Sequence, residues 1–367
     1  MSPALQLRHE EGRHLELATG DGGVLWRYVY VPDTPANEAP RPYLHPLYAI
    51  SGDLLTNFRP HDHPWHHGLS LTLTSVGGVN FWGGPSHRAA DGYRWRDDHG
   101  TQVHRGWLAL EPDAVAESLD WVEPRGNRLL LQERRELRTE LRPGGWSLRW
   151  ASELRNASGE ELTLGNYHAL GGLAGSHYTG LQFRGARGLL DEHGDPAIGV
   201  EAEGGLQGES AVHGALARWM EWSCQHDGSL RRTVIRFEHP AGPLPWFLRA
   251  KEPLAAFAFH REHLQVLAAG ATLRLEHVIS FSDQGPEDGL SAAGLAEAEG
   301  RTPEARGQRP EAGGRRAACR AVARRAKAGG RGPEAGSQRT EAGGRTAVDG
   351  GRRTEVGGRR RREGLKI

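Results

Sequence analysis

The feature that most constrains this 367-residue chain is the strict alternation of apolar and polar side chains in several short segments. In residues 272–281, apolar side chains take every second position on one side, with Arg274 and Glu276 between them. Successive side chains of a β-strand point to opposite faces, so this alternation predicts strands with one buried face. Segments 147–154 and 233–238 alternate in the same way. We therefore expect the chain to fold mainly as strands.

Turn-forming residues separate these segments at the spacing that hairpins require. Residues 128–154 are predicted to form a long hairpin around the Pro-Gly-Gly turn at 143–145. No segment of the body shows a long helical period, and no strands alternate with helices, so a parallel α/β sheet is not expected. The predicted fold class is all-β, a large antiparallel β-sandwich over residues 1–284.

Residues 285–367 differ in composition from this body. Segment 301–367 has no aromatic residue and repeats a Glu-Ala-Gly-Gly-Arg unit. It contains 19 Lys and Arg against 7 Asp and Glu, a formal charge of +12, so the rest of this neutral chain carries −12. We expect a disordered tail, because it has too little apolar surface to offset the entropy of ordering. Nucleic acid is not expected as a partner, since no aromatic ring is available to stack on bases.

Several classes of protein are excluded by simple counts. No apolar run reaches the roughly 18 residues of a membrane span, and residues 1–16 have no apolar core of the signal-peptide type. Cys224 and Cys319 are the only cysteines, so neither a disulfide framework nor a cysteine-based zinc site is expected. We expect a cytoplasmic protein.

One segment, residues 59–68, concentrates chemically active side chains. It reads Arg-Pro-His-Asp-His-Pro-Trp-His-His-Gly and therefore holds four histidines and an aspartate. Histidine changes its charge near neutral pH, which suits both acid–base catalysis and metal binding. If residues 59–63 are extended, His61 and His63 point to one side and Asp62 to the other. We predict a functional site at this strand–loop–strand corner.

The first interpretation of the segment is a metal-free pocket for a carbohydrate or a related polyol. Indole rings such as Trp65 cover the apolar face of a sugar ring, and polar side chains bind its hydroxyl groups. An acidic body favours a neutral or cationic ligand over a polyanion. No cofactor is predicted. The predicted catalytic residues are Asp62, His63, His66 and His67. The predicted substrate contacts are His45, His61, Asn80, Trp82, His104, Arg184 and Arg249.

Three other interpretations stay open. In the second, His61, His63 and His67 hold iron, copper or zinc, and the protein is a metal-dependent oxygenase or hydrolase. In the third, the protein is a non-catalytic sugar-binding module. In the fourth, the histidines only satisfy one another in a rigid corner.

The corner also carries a resemblance to a known family. Residues 62–69, followed by 79–84, resemble the bacterial PmoA-like family, whose members are often labelled methane oxygenase. Weaker similarity lies in segments 41–46, 180–184 and 246–249, and the resemblance spans about residues 20–284. It implies a β-sandwich of the class that includes sugar mutarotases, with a role in carbohydrate metabolism. The family's label implies the metal-dependent oxygenase instead, although a methane-oxidising membrane subunit would need transmembrane helices.

Overall fold

The structure, a computed structural model, describes residues 4–124 and 128–284. Within them the chain is almost entirely β-structure. The first twelve strands are β1 (Leu5–Glu10), β2 (His14–Thr19), β3 (Val24–Val29), β4 (Tyr43–Leu47), β5 (Leu69–Thr72), β6 (Ser75–Val76), β7 (Ser86–Arg88), β8 (Gly92–Arg94), β9 (Thr101–Leu110), β10 (Ala114–Val122), β11 (Leu129–Arg142) and β12 (Gly145–Asn156). The others are β13 (Leu162–Gly165), β14 (Gly180–Arg184), β15 (Leu189–Leu190), β16 (Gly199–Ala202), β17 (Leu206–Gln207), β18 (Leu216–Ala217), β19 (Trp219–His226), β20 (Arg232–Glu238), β21 (Leu244–Arg249), β22 (Leu254–Phe257), β23 (Gln265–Leu267) and β24 (Thr272–Gln284).

Helices are few and short in this part of the chain. A 3-10 helix covers Ala36–Glu38, and α1 covers Glu209–Val212. Neither has the length or the apolar character that a membrane crossing requires, and the described residues contain no other helix. The predicted tail, 285–367, lies outside the described residues.

Two large sheets contain most of the strands, and every pairing between named strands is antiparallel. The first has nine strands in the order β1-β2-β3-β4-β5-β14-β22-β21-β18. The second has ten, in the order β17-β16-β19-β20-β24-β12-β11-β10-β9, with β15 paired to β19. Two smaller sheets, β23-β13-β6 and β7-β8, lie among the connections.

The two large sheets pack face to face. Trp26 on β3 donates its indole N–H to Thr139 Oγ1 on β11 at 3.0 Å, which joins the sheets directly. Phe183 on β14 lies 5.6 Å from Trp222 and 5.4 Å from Phe237, both on the second sheet, between ring centroids. One continuous apolar core therefore fills the space between the sheets. The predicted antiparallel β-sandwich is confirmed.

The predicted hairpin is confirmed at its turn. β11 pairs with β12 from Leu131 opposite Asn156 to Arg142 opposite Gly145. Gly144 has φ +70°, which favours glycine, and a Cβ on Gly145 would lie 2.0 Å from the carbonyl oxygen of Phe281. The turn requires glycine at position 144, and the close approach of β24 requires it at position 145.

A buried polar network lies between the sheets. The Arg135 guanidinium, fully buried, binds both carboxylate oxygens of Glu133 at 2.7 and 2.8 Å. It also donates to the Tyr28 hydroxyl and to Gln102 Oε1, each at 2.9 Å. Tyr28 belongs to the first sheet and Arg135 to the second, so the network links the sheets through charge-assisted hydrogen bonds.

The opposite face of the nine-stranded sheet positions the candidate site. On β21, Trp246 and Leu248 point into the sandwich core, whereas Phe247 belongs to a separate apolar cluster. Arg249 follows on the same side as Phe247, and Arg184 on β14 likewise points away from the core. This outer face is covered by the loops that precede β5, β7 and β14.

Candidate functional site

The histidine-rich corner consists of two successive tight turns. His63 N–H donates to the Pro60 carbonyl, and His66 N–H donates to the His63 carbonyl, each at 3.0 Å. Arg59 N–H then closes the loop on the His66 carbonyl at 3.0 Å. The expectation that residues 59–63 are extended is therefore wrong, and alternation does not decide where these imidazoles point.

The buried side chain of Arg41 holds the backbone of the corner in place. Arg41 donates to the carbonyl oxygens of Trp65, Glu38 and Ala39 at 2.7 to 2.9 Å, and to Ser70 Oγ at 3.2 Å. These acceptors lie on the corner, on the 3-10 helix and on β5, so one guanidinium ties three segments of the chain together.

A pair of glycines fixes the Trp65 indole. Gly83 and Gly84 both have positive φ angles, +97° and +71°. A Cβ on Gly84 would lie 2.4 Å from the indole ring of Trp65, and one on Gly83 would lie 2.6 Å from Trp65 Cβ. The Gly-Gly pair therefore lets the β6–β7 loop approach the indole closely. The Asn80 amide oxygen accepts hydrogen bonds from Trp82 N–H and Gly83 N–H at 2.8 Å, which shapes the same loop.

The corner, this loop and the outer sheet face enclose a cavity of about 420 Å³. Its volume is in the range of small-molecule sites. Aromatic rings form part of the wall: the ring centroids of Trp82 and Tyr178 are 4.7 Å apart, and those of Tyr178 and Phe247 are 5.3 Å apart. The lining residues are His63, Trp65, His66, Trp82, Gly83, Pro85, Tyr93, Tyr178, Arg184, Phe247, Arg249, Glu252 and Leu254.

His63 and Asp62 form a hydrogen-bonded pair at the wall of this cavity. His63 Nδ1 lies 2.9 Å from Asp62 Oδ2, and Asp62 Oδ1 accepts a hydrogen bond from Arg187 at 3.0 Å. Burial alone would raise the pKa of Asp62, but the hydrogen bond from His63 and the charges of His63 and Arg184 hold that pKa below its ordinary value. An ionised carboxylate only accepts hydrogen bonds, so Nδ1 of His63 carries a hydrogen, and in the neutral form of the ring Nε2 is the nitrogen that can accept a proton.

His66 stacks on His63 and stays neutral. The two ring centroids are 5.0 Å apart, with 20° between the ring planes. Burial, with the nearby charges of Arg184 and His63, lowers the pKa of His66 well below its ordinary value. Its buried Nδ1 has no hydrogen-bond partner in the described part of the chain. His66 therefore presents a neutral polar ring beside the basic nitrogen of His63.

The structure places His67 outside the cavity, against the prediction that it shares a site with His63. Its ring is fully buried, and Nε2 lies 2.9 Å from Glu38 Oε2. Glu38 also accepts from Arg59 at 2.7 to 3.1 Å. Burial, reinforced by the charge of Arg41, lowers the pKa of His67 to about 4 in spite of the bond to Glu38. His67 is thus part of the support of the corner.

Four predicted substrate contacts also lie away from the cavity lining. His45 Nδ1 lies 2.9 Å from Thr56 Oγ1, and His104 Nδ1 lies 2.5 Å from Glu117 Oε2 at the edge of the inter-sheet network. The exposed His61 lies against Arg187. The Asn80 side chain forms its hydrogen bonds with Trp82, Gly83 and Ser86, which lie in or at the end of its own loop. Of the predicted set, the cavity brings together His63, His66, Trp82, Arg184 and Arg249.

The predicted metal ligands do not converge on one point. His67 binds Glu38 and His61 faces Arg187, so neither joins His63 around a common centre. A different set is close together: Asp62, His63 and Glu252 each offer a ligand atom, and these atoms all lie within 4.8 Å of one another. Carboxylate and imidazole ligands suit zinc or iron.

Residues that the sequence analysis did not include complete the cavity. Phe247 could have been found, because it alternates with core residues on β21 and lies two residues before Arg249, on the same side of the strand. Tyr178 lies in a glycine-rich stretch, 166–180, whose composition is typical of a loop. Tyr93 on β8 and Glu252 in the β21–β22 connection carry no signal in sequence, because only the tertiary fold brings them to the cavity.

A second, larger cavity of about 820 Å³ lies beside β13. Two pairs of its charged groups bind each other: Asp98 lies 3.5 Å from Arg88, and Glu160 binds Arg128. The smaller cavity, with its histidine pair and its aromatic walls, is the better candidate for a functional site.

Together these features define a large antiparallel β-sandwich protein with a loop-covered cavity, lined by aromatic rings and histidines, on the outer face of one sheet. The chain belongs to DUF6807, a family of unknown function, whose model matches residues 16–297. The predicted membership of the PmoA-like family is therefore wrong: the matching family model carries no link to PmoA. No curated protein matches the chain.

Two solved structures are similar over most of the chain. A galactose mutarotase-like protein from Clostridium acetobutylicum is 12% identical with a TM-score of 0.34, over 77% of this chain and 99% of that one. A galactose mutarotase related enzyme from Lactobacillus acidophilus is 7% identical with a TM-score of 0.28, over 76% of this chain and 97% of that one. Scores this low carry no argument about this chain.

Proposed function

We propose that the cavity binds a carbohydrate or a related polyol and that His63 exchanges protons with it. The observation that carries the proposal is the Asp62–His63 pair at the wall of a cavity lined by aromatic rings. A positioned imidazole oriented by a carboxylate is a common arrangement for general acid–base catalysis.

The walls suit a ligand with apolar faces and polar edges. The rings of Trp65, Trp82 and Tyr178 can cover the C–H faces of a sugar ring. Trp95, which is 57% exposed, packs edge-on against Trp65 with 5.6 Å between ring centroids and extends the aromatic surface outward. The neutral His66 ring can bind a hydroxyl group in the same space.

The proposed proton transfer uses one nitrogen. His63 Nε2 accepts a proton from a hydroxyl or C–H group of the ligand, and the ligand keeps the electron pair of the broken bond. The resulting imidazolium is stabilised by the Asp62 carboxylate on its other side. The same nitrogen returns the proton at the end of the cycle, so the step needs no oxidant or reductant.

The test replaces His63 by glutamine. General acid–base catalysis contributes about 10²–10⁴-fold to a rate, so we expect His63→Gln to lower turnover by at least about 100-fold. The measurement is NMR of a panel of free aldoses and hexuronic acids in deuterated buffer, which follows anomer interconversion and deuterium uptake at ring carbons. His193→Gln, at an exposed histidine of the β15–β16 connection, is the matched control and should keep the wild-type rate.

Two outcomes would contradict the proposal. If saccharides bind in calorimetry but the wild-type protein changes none of them, the protein is a binding module. If His63→Gln and His193→Gln keep equal rates, another group performs the chemistry.

A second candidate, a metal-dependent enzyme, is favoured by the proximity of Asp62, His63 and Glu252. In this case purified protein would contain near-stoichiometric zinc or iron, and Glu252→Gln would lose it. Asp62 already binds Arg187 and His63, so a metal ion would have to compete for both of its oxygens. This competition is the reason for preferring the metal-free proposal.

A further inference from the structure

Arg184 is a buried cation that forms no salt bridge with a carboxylate among the residues that the structure describes. It ends β14, is 3% exposed and lines the cavity. Its Nη1 donates to the backbone carbonyl of Glu252 at 3.1 Å. Its Nε is buried and has no hydrogen-bond partner among residues 4–124 and 128–284, and Nη2 has no hydrogen bond there either. In the same residues, no carboxylate lies within the 4.0 Å of a salt bridge to Arg184.

Two other arginines of this chain show which group binds the edge of a guanidinium that Nε and Nη2 form. Arg135 binds the Glu133 carboxylate through Nε and Nη2 at 2.8 and 2.7 Å. Arg59 binds the Glu38 carboxylate through the same two nitrogens. This edge of a guanidinium matches the two oxygens of a planar carboxylate. In Arg184 it is the edge that lacks a partner in the described residues.

Burying an unpaired charge is costly, so the cavity around Arg184 favours an anion. The charged groups near Arg184, which include the carboxylates of Asp62 and Glu252, do not remove this preference. Asp62 is bound to Arg187 and His63, and Glu252 is exposed at the rim, where water screens its charge. Arg249 adds a second positive charge to the wall, partly offset by Glu209 at 3.5 Å.

From this geometry we infer that the ligand of the cavity is a sugar acid whose carboxylate binds the Nε–Nη2 edge of Arg184. The inference rests on the proposed function and narrows its substrate class from carbohydrates and polyols in general to sugars with a carboxylate. It also revises the expectation of a neutral or cationic ligand, because the local charge of the cavity differs from the net charge of the whole body.

The test compares two pairs of probes, D-glucuronate with D-glucose and D-galacturonate with D-galactose, by calorimetry on the full chain. A charge-assisted hydrogen bond is worth enough that at least one hexuronate should bind about tenfold tighter than its neutral partner. Arg184→Met should remove this preference, so that the hexuronate and its neutral partner bind this variant with affinities within about threefold of each other. Arg138→Met, at an exposed arginine of β11 outside the cavity lining, should keep the preference.

Three other outcomes would contradict the carboxylate inference, and one of them would also contradict the proposed function. Equal affinities for acid and neutral sugars in the wild-type protein overturn the carboxylate inference and leave the proposed function standing. Tighter binding of glucose 6-phosphate than of glucuronate, lost in Arg184→Met, shows a phosphate ligand and also overturns it. Binding of none of these sugars overturns both proposals. The wild-type comparison decides even if Arg184→Met does not fold.

Discussion

Replacing Arg135 by alanine is expected to lower the free energy of unfolding by about 3–5 kcal/mol. The guanidinium is fully buried between the sheets and binds Glu133, Tyr28 and Gln102. Its removal leaves the Glu133 carboxylate, which is also buried, without its counterion. The cost of an unpaired buried charge exceeds that of the lost hydrogen bonds alone. Urea unfolding followed by tryptophan fluorescence measures the difference.

A control lies three residues further along the same strand. Arg138 is exposed and pairs with Asp113 at 3.1 Å, so Arg138→Ala should cost at most about 1 kcal/mol. A double variant, Arg135→Met with Glu133→Leu, removes both charges and should be more stable than Arg135→Ala. Equal losses in Arg135→Ala and Arg138→Ala would show that the buried network does not stabilise the fold.

Lowering the pH from about 6.5 to 5 is expected to destabilise the protein steeply. Burial lowers the pKa of His45, His67, His177 and His260 to about 4. In the unfolded chain these imidazoles take up protons below about pH 6.5, whereas in the folded protein they stay neutral until about pH 4. Protons therefore favour unfolding across that window, by about 3 kcal/mol for each group when the window is fully crossed. The sum approaches the whole stability of an ordinary domain.

Urea midpoints at pH 7.5, 6.5, 5.5 and 5.0 test this prediction. The range above pH 5 isolates the histidines, because carboxylates take up protons mainly below it. His67→Gln removes one of the buried imidazoles and should make the decline shallower, whereas the exposed His193→Gln should not change its slope. A midpoint that stays constant from pH 7.5 to 5.0 would contradict the prediction.

The sandwich could be predicted from sequence because its strands obey a local rule. The alternation over residues 272–281 matches the first ten residues of β24, and the Pro-Gly-Gly turn predicted the β11–β12 hairpin. The order of strands in each sheet could not be predicted, since β14 pairs with β5 and β22 across long stretches of chain. Such pairings depend on the packing of the whole domain.

The candidate site could be predicted only in part, for a related reason. The density of histidines in residues 59–68 indicated the corner, and His63 and His66 do line the cavity. The ring of His67 lies apart from those of His63 and His66 because two consecutive turns precede it, and side chains in turns do not alternate between two faces. The partner of His67 is Glu38, 29 residues earlier in a proline-rich stretch, and no spacing rule connects them.

The division of β21 between two environments has a consequence for how this protein could diversify. Trp246 and Leu248 belong to the packed interior, whereas Phe247 and Arg249 border the cavity that we propose as the ligand site. Substitutions at alternate positions therefore act on separate properties, folding at one set and selectivity at the other. New ligand preferences could be acquired along a single strand while its inward-facing neighbours continue to hold the scaffold together.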